Sequence, residues 1–239
     1  MSKKPAIYEP KGRALEYSPL ACDLYKGCTH GCKYCYGAKG SFDNDCKDLK
    51  PIPNILERVE ADAKRLAGDP REILISFSSD PYFSEEAAQM TRAALEIFEK
   101  YNLEGQVLTK AGMGAARDFD ILRRNNWMFG STIIFTSEEL RKEWEPNAPS
   151  IENRTQAVRK AYIQGIFTWV SIEPVIDVDE ALKVMEALKG HVNLWKIGKL
   201  NHFPEIEATI DWKKYIRDVM VMLKGEKVSW KKDLINEIV

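Results

Sequence analysis

The 239-residue sequence has no apolar run approaching the ~20 residues a membrane span requires, and Met1 to Pro10 is polar, without the apolar stretch of a signal peptide. Both absences point to a soluble, cytoplasmic protein with no membrane partner. An excess of one charge is also lacking. Lysine and arginine number 35 against 36 aspartates and glutamates, a net charge of -1. That excludes the global cationic field on which non-specific duplex binding usually depends. Cysteine is scarce and poorly spread for a disulfide framework: there are five, an odd number, with Cys22, Cys28, Cys32 and Cys35 crowded into one segment, Cys46 nearby and none beyond. Thiolate ligation in a reducing compartment suits this usage better than cross-links. No internal repeat or low-complexity stretch appears.

What is present is enough apolar residue, 44% of the chain, for one substantial core. We expect a single domain over 1–239 with its core at about 14–225, between a polar lead-in and a short closing segment. Apolar β-rich runs alternate with helical periodicity, the pattern of βα units around a parallel sheet. The strands are expected at 21–25, 72–77, 105–109, 128–135, 168–175 and 193–197, and the helices at 53–66, 85–101, 117–125, 151–164, 178–188 and 212–223. Ser84, Asp177 and Asp211 offer helix caps, and Gly165 and Gly190 offer stops. A closed eight-unit barrel needs roughly 250 residues. Six units therefore predict an open, partial (β/α)6 barrel whose active face is the carboxyl-terminal rim of the strands. The tail from Glu226 is expected to add a strand and helix at one edge.

The densest chemical signal is Tyr25-Lys26-Gly27-Cys28-Thr29-His30-Gly31-Cys32-Lys33-Tyr34-Cys35-Tyr36. Three thiolates spaced four and then three residues apart can reach three corners of a four-iron cube, leaving one iron open, while Gly27 and Gly31 let the backbone fold tightly around the sulfurs. A closed zinc site would need four ligands, with only His30, Cys22 and Cys46 nearby as a fourth. The cysteines after this segment are too few for an auxiliary cluster.

This CxxxCxxC, with Tyr34 just before its last cysteine, resembles the signature of the radical S-adenosylmethionine (SAM) superfamily, and within it the spore photoproduct lyase-like group, also called DNA repair photolyase-like. Further matches are Ser79-Asp80-Pro81-Tyr82 with Glu86 and Thr91-Arg92, Thr109-Lys110, Arg117-Asp118, Glu145-Pro146, Ala148-Pro149-Ser150 and Arg154. The resemblance implies the partial barrel, a [4Fe-4S] cluster on Cys28, Cys32 and Cys35, and S-adenosylmethionine cleaved by one electron to a 5'-deoxyadenosyl radical that takes hydrogen from a substrate. It also implies an external one-electron reductant such as flavodoxin or ferredoxin. On this reading Asp80 and Ser79 suit the methionine ammonium, Lys110 and Ser131 or Thr132 its carboxylate, Tyr34 stacks near the adenine, and Tyr36 is a further cofactor-binding candidate.

Glu173 ends the fifth expected strand, and Lys199 with Asn201 the sixth. Charges leaving apolar strands at a barrel mouth are costly unless used, so these three are candidate catalytic or substrate contacts; the alternative is a rim salt bridge of Glu173 with Lys199 or Arg154. Glu145 and Arg154 read as loop organisers, with the ribose as the alternative for Glu145. The lyase returns a hydrogen from a cysteine ahead of its Ser-Asp pair, and here that position is Phe77. Thymine-dimer repair by that route is therefore not expected. The substrate is left between nucleic acid or a nucleotide and a small molecule or peptide, with a non-catalytic iron-sulfur protein as the reading from another class.

Overall fold

The computed structural model describes residues 5–36 and 49–237. Cys46 lies outside the described residues. Eight strands form one sheet in the order β1 (Ile7–Tyr8), β2 (Leu20–Cys22), β5 (Glu72–Ile75), β6 (Glu104–Thr109), β7 (Met128–Thr132), β8 (Phe167–Val175), β9 (Leu194–Lys199) and β10 (Val228–Trp230). Short strands β3 (Tyr25–Lys26) and β4 (Lys50–Pro51) pair separately. β3 and β4 are antiparallel to each other; in the eight-stranded sheet β1 is antiparallel to β2, and from β2 onward the strands are parallel. Its order follows the chain without reversal, which is the winding of a barrel rather than of a doubly wound sheet. Neither β1 nor β10 pairs with the other, so the barrel is partial.

The helices between these strands are α1 (Ile55–Arg65), α2 (Glu85–Lys100), α3 (Phe119–Arg124), α4 (Glu138–Trp144), α5 (Ile151–Ile163), α6 (Val178–Leu188), α7 (Pro204–Glu207), α8 (Trp212–Met222) and α9 (Lys232–Ile235). All six expected strands occur, the first shortened at Cys22. The expected caps also form: Ser84, Asp177 and Asp211 accept from the amides of Ala87, Glu180 and Lys214. β10 and α9 supply the expected closing strand and helix. The short helix α4 was not anticipated, although Ser137 before Glu138 and Glu139 is a capping signal and Ser137 Oγ does accept from Leu140 N.

The apolar core lies between strands and helices. Ile73, Ile75, Val107, Phe129, Val170, Ile172 and Ile197 are all buried there, with Phe129 edge-on to Phe119 at 4.9 Å. The other face of the strands looks into the lumen and carries Gln106, Trp169, Ser171, Glu173 and Lys196. That lumen is filled in part by residues 12–18, a 3-10 turn and its exit, since Tyr17 meets Trp169 at 6.0 Å and Ser18 accepts from Gln106 at 3.0 Å. No helix among the described residues is long and apolar enough to cross a membrane.

Candidate cofactor site at the mouth of the barrel

Three cysteines outside any disulfide, Cys28, Cys32 and Cys35, follow the end of β3 on a partly exposed loop. Gly27 and Gly31 have φ of 84° and 64°, the left-handed turns for which glycine is suited. Gly31 also lets Asn147 approach, since a Cβ there would stand 3.3 Å from its Nδ2.

The loop is held from three directions. Residues 144–147, just after α4, form a strap: Lys33 N donates to Trp144 O at 2.9 Å, Asn147 N to His30 O at 3.2 Å and Asn147 Nδ2 to Thr29 O at 2.9 Å. The buried pair Glu145–Arg154 holds Tyr34, whose hydroxyl donates to Glu145 Oε1. From the β5 side, His30 Nε2 lies 3.1 Å from Asp80 Oδ2 and Tyr36 OH donates to Phe77 O at 2.9 Å.

Asp80 is a hub. It is 6% exposed and accepts from Thr109 Oγ1 (2.7 and 2.9 Å), Lys110 N (2.7 Å) and Tyr82 N (2.9 Å). Burial opposes its charge, but the His30 imidazole, the Lys110 amide and the Thr109 hydroxyl outweigh that and hold the carboxyl down at about 2. Ser79 Oγ lies 3.1 Å from Ser76 Oγ. Ser131 is fully buried, and its hydroxyl donates to Thr109 O at 3.2 Å, so it is committed within the sheet.

Lys110 differs from these. Its ammonium stands 5.5 Å from the centre of the Tyr34 ring and has no hydrogen bond or ion pair with a described residue. Burial works against its charge, but Cys32, Glu145 and Cys28 together raise its pKa above the usual lysine value. Burial likewise pushes the Cys28 thiol up to about 12 and the Cys32 thiol up to about 11, so a cation must displace their protons for them to ligate near neutral pH. Among the described residues no three His, Cys, Asp or Glu side chains converge on the position of one metal ion.

Across the lumen, Glu173 accepts from Arg13 Nη2 at 2.7 Å and from Tyr17 OH, with Lys231 Nζ at 3.8 Å. Its expected rim partners are corrected here. Arg154 is taken by Glu145 and Lys199 by Glu237 at 2.5 Å, because the register of β9 turns Lys199 toward Trp212 on α8 while Gly198 lies against Glu173. Asn201 Nδ2 donates to Asp233 Oδ2 and Lys199 O, both at 3.0 Å. The sequence reading placed none of Arg13, Tyr17, Asp23 or Asn147, and it took Lys231, here 1% exposed, with Lys232 as a solvated pair. Asp23 accepts the amides of Phe77 and Ser78, both at 2.8 Å, and so turns the end of β5 toward the loop. An aspartate interrupting an apolar strand was the available signal.

With this geometry in view, the chain aligns over 234 residues at 27% identity with an uncharacterised protein of Methanocaldococcus jannaschii, spanning 87% of this chain and 86% of that one. No family model matches. Among solved structures, a spore photoproduct lyase variant superposes with a TM-score of 0.74 at 14% identity, over 96% of this chain and 81% of that one. The fold is that of spore photoproduct lyase. The lyase complexed with dinucleoside spore photoproduct superposes at 0.70 and 15% identity, over 96% and 81% of the two chains. Streptococcus suis SuiB bound to S-adenosylmethionine gives 0.67 at 11% over 91% of this chain, which spans about half (51%) of SuiB. The resemblance to the spore photoproduct lyase-like, radical SAM group therefore extends from the cysteine motif to the partial barrel.

Proposed function

We propose that the protein is a radical SAM enzyme holding a four-iron cluster on Cys28, Cys32 and Cys35. When bound there, such a cluster supplies one electron to S-adenosylmethionine, giving the 5'-deoxyadenosyl radical that abstracts a substrate hydrogen. The observation that carries this reading is the Lys110 ammonium, which faces Cys28 and Cys32 without an ion-pair partner among the described residues. A carboxylate beside the thiols, as on a chelating methionine, meets that charge. Asp80 holds the loop through His30 and, with Ser79, edges the place for the methionine ammonium. Tyr34 and Tyr36 wall the site from the loop itself.

Glu173 is the residue assigned to the substrate side, because it faces the lumen. Lys199 and Asn201 are braced by Glu237 and Asp233. Spore photoproduct lyase binds a dinucleoside and SuiB a precursor peptide, and we take a nucleotide-like substrate as the first to test because the lyase covers more of its length here. Phe77, at the place of the lyase's cysteine, argues against dimer repair by the same route. Electrons come from an external one-electron reductant such as flavodoxin or ferredoxin. Anaerobic reconstitution followed by reduction with S-adenosylmethionine should yield 5'-deoxyadenosine; a fully clustered protein that yields none refutes the assignment.

A further inference from the structure

We infer that Glu145 is a positioning residue for the cofactor: fixed by Arg154, it holds the Tyr34 phenol and, through the Tyr34 ring, sets where the Lys110 ammonium stands beside the thiols. The inference rests on the function proposed above and concerns side chains of this chain alone.

Glu145 and Arg154 are both fully buried, and their closest contact is 2.6 Å. One carboxylate oxygen of Glu145 is taken by Arg154 and the other by the Tyr34 hydroxyl. Arg154 cannot swing away, because its Nε donates to Pro149 O at 3.0 Å and its Nη1 also to Thr132 O at 3.2 Å. The guanidinium thus fastens the strap to the end of β7. Arg141 fixes the strap's backbone, donating through Nη1 to Glu145 O at 3.1 Å and to Ala148 O at 2.8 Å. The carboxylate therefore has a single direction, and Tyr34 inherits it.

An apolar pair could fill the same volume, but a buried ion pair costs desolvation that apolar packing avoids. What the ions add is a directed acceptor for one phenol. Tyr34 sits between Cys32 and Cys35, so fixing its ring fixes the loop between two of the thiols. Lys110, with no ion pair to a described residue, has the ring 5.5 Å away and the charge of Glu145 as its local reference. The series Arg154, Glu145, Tyr34, Lys110 links helix α5 to the cation proposed to meet the cofactor carboxylate.

The test uses Tyr34→Phe, which removes one hydroxyl and leaves the buried pair intact, with Glu145→Gln as the second variant. Reconstituted Tyr34→Phe should keep its iron and sulfide content while binding S-adenosylmethionine about tenfold more weakly, and the change that the cofactor causes in the electron paramagnetic resonance of the reduced cluster should shrink. Lys110→Ala should also bind the cofactor more weakly, and the double variant should lose less than the product of the two effects. In cluster-free protein, amide exchange across 28–36 should quicken in both Tyr34→Phe and Glu145→Gln. Wild-type affinity in Tyr34→Phe, or fully multiplicative losses in the double variant, overturns the inference. So does unchanged exchange in the cluster-free variants, and that measurement decides even if the wild-type protein takes up no cluster. Failure of wild-type protein to bind cluster or cofactor instead counts against the proposed function.

Discussion

The two sides of the barrel mouth treat charge differently. On the side of β5 to β7, Asp80, Glu145 and Arg154 are bound into the frame, while the Lys110 ammonium, beside Cys28 and Cys32, has no ion-pair partner among the described residues. On the side of β8 to β10, Glu173, Arg13, Asp233, Lys199 and Glu237 answer one another. The first leaves one buried ammonium without an ion-pair partner; in the second these five side chains pair with one another, and the buried Lys231 ammonium stands 3.8 Å from Glu173. A buried charge left without a partner costs free energy, and on the β5 to β7 side that charge is the Lys110 ammonium beside the proposed cluster cysteines.

The contrast can be broken most severely at the cysteines. Replacing Cys28, Cys32 or Cys35 with Ala should abolish the anaerobic iron-sulfur absorbance, whereas Cys22→Ala, in fully buried β2, should leave it. Stability comes next. Arg154→Ala leaves Glu145 buried without its cation and should cost about 3–5 kcal/mol in urea unfolding. Glu173→Gln, whose partner Arg13 is 44% exposed, should cost about 1–2 kcal/mol and leave iron content unchanged.

Cofactor binding should separate the sides by a smaller amount. Lys110→Ala should weaken S-adenosylmethionine binding by about 1.5–3 kcal/mol, roughly ten- to a hundredfold, and Lys199→Ala should change it little; equal losses in the two would erase the distinction. The smallest effect concerns pH. Burial pushes Lys231 down to about 8, against the pull of Glu173. Between pH 8 and about 10.5 the unfolded chain keeps a proton that the folded chain has shed, so this group's contribution to stability rises with pH. Compared with Lys231→Met, the wild-type protein should gain about 1–2 kcal/mol between pH 8 and pH 9.5; a parallel pair of urea-unfolding curves would show Lys231 to be charged throughout.

Periodicity made the strands and most helices legible, because each buries one face against a common core. Spacing alone made the cysteines legible. Lys110 and Asp80 could be placed at strand ends, but whether their charges were already answered could not, since Asp80 is satisfied by residues 30 and 109, far from it in sequence. For the same reason Glu173 was matched to the wrong cation: Arg13 lies 160 residues away, on a turn folded into the lumen. Ser131 looked available from its position at the end of β7, yet a one-residue difference in register decides whether a strand residue faces the lumen or the sheet's other layer.

That turn in the lumen bears on how the protein is made. Tyr17 O accepts from Lys196, Arg13 meets Glu173 and Asp233, and Glu16 receives the amide of Lys232, joining positions up to 216 apart in sequence. During synthesis, the side chains of Arg13, Glu16 and Tyr17 must wait beside β2 with their hydrogen-bonding groups in water until β8, β9 and finally the segment around 231–233 arrive. Closing so long a loop is entropically costly and comes late. The cysteine loop needs only residues up to 154 for its strap and buried pair. The cradle can thus be complete on a nascent chain whose barrel is still open on its far side.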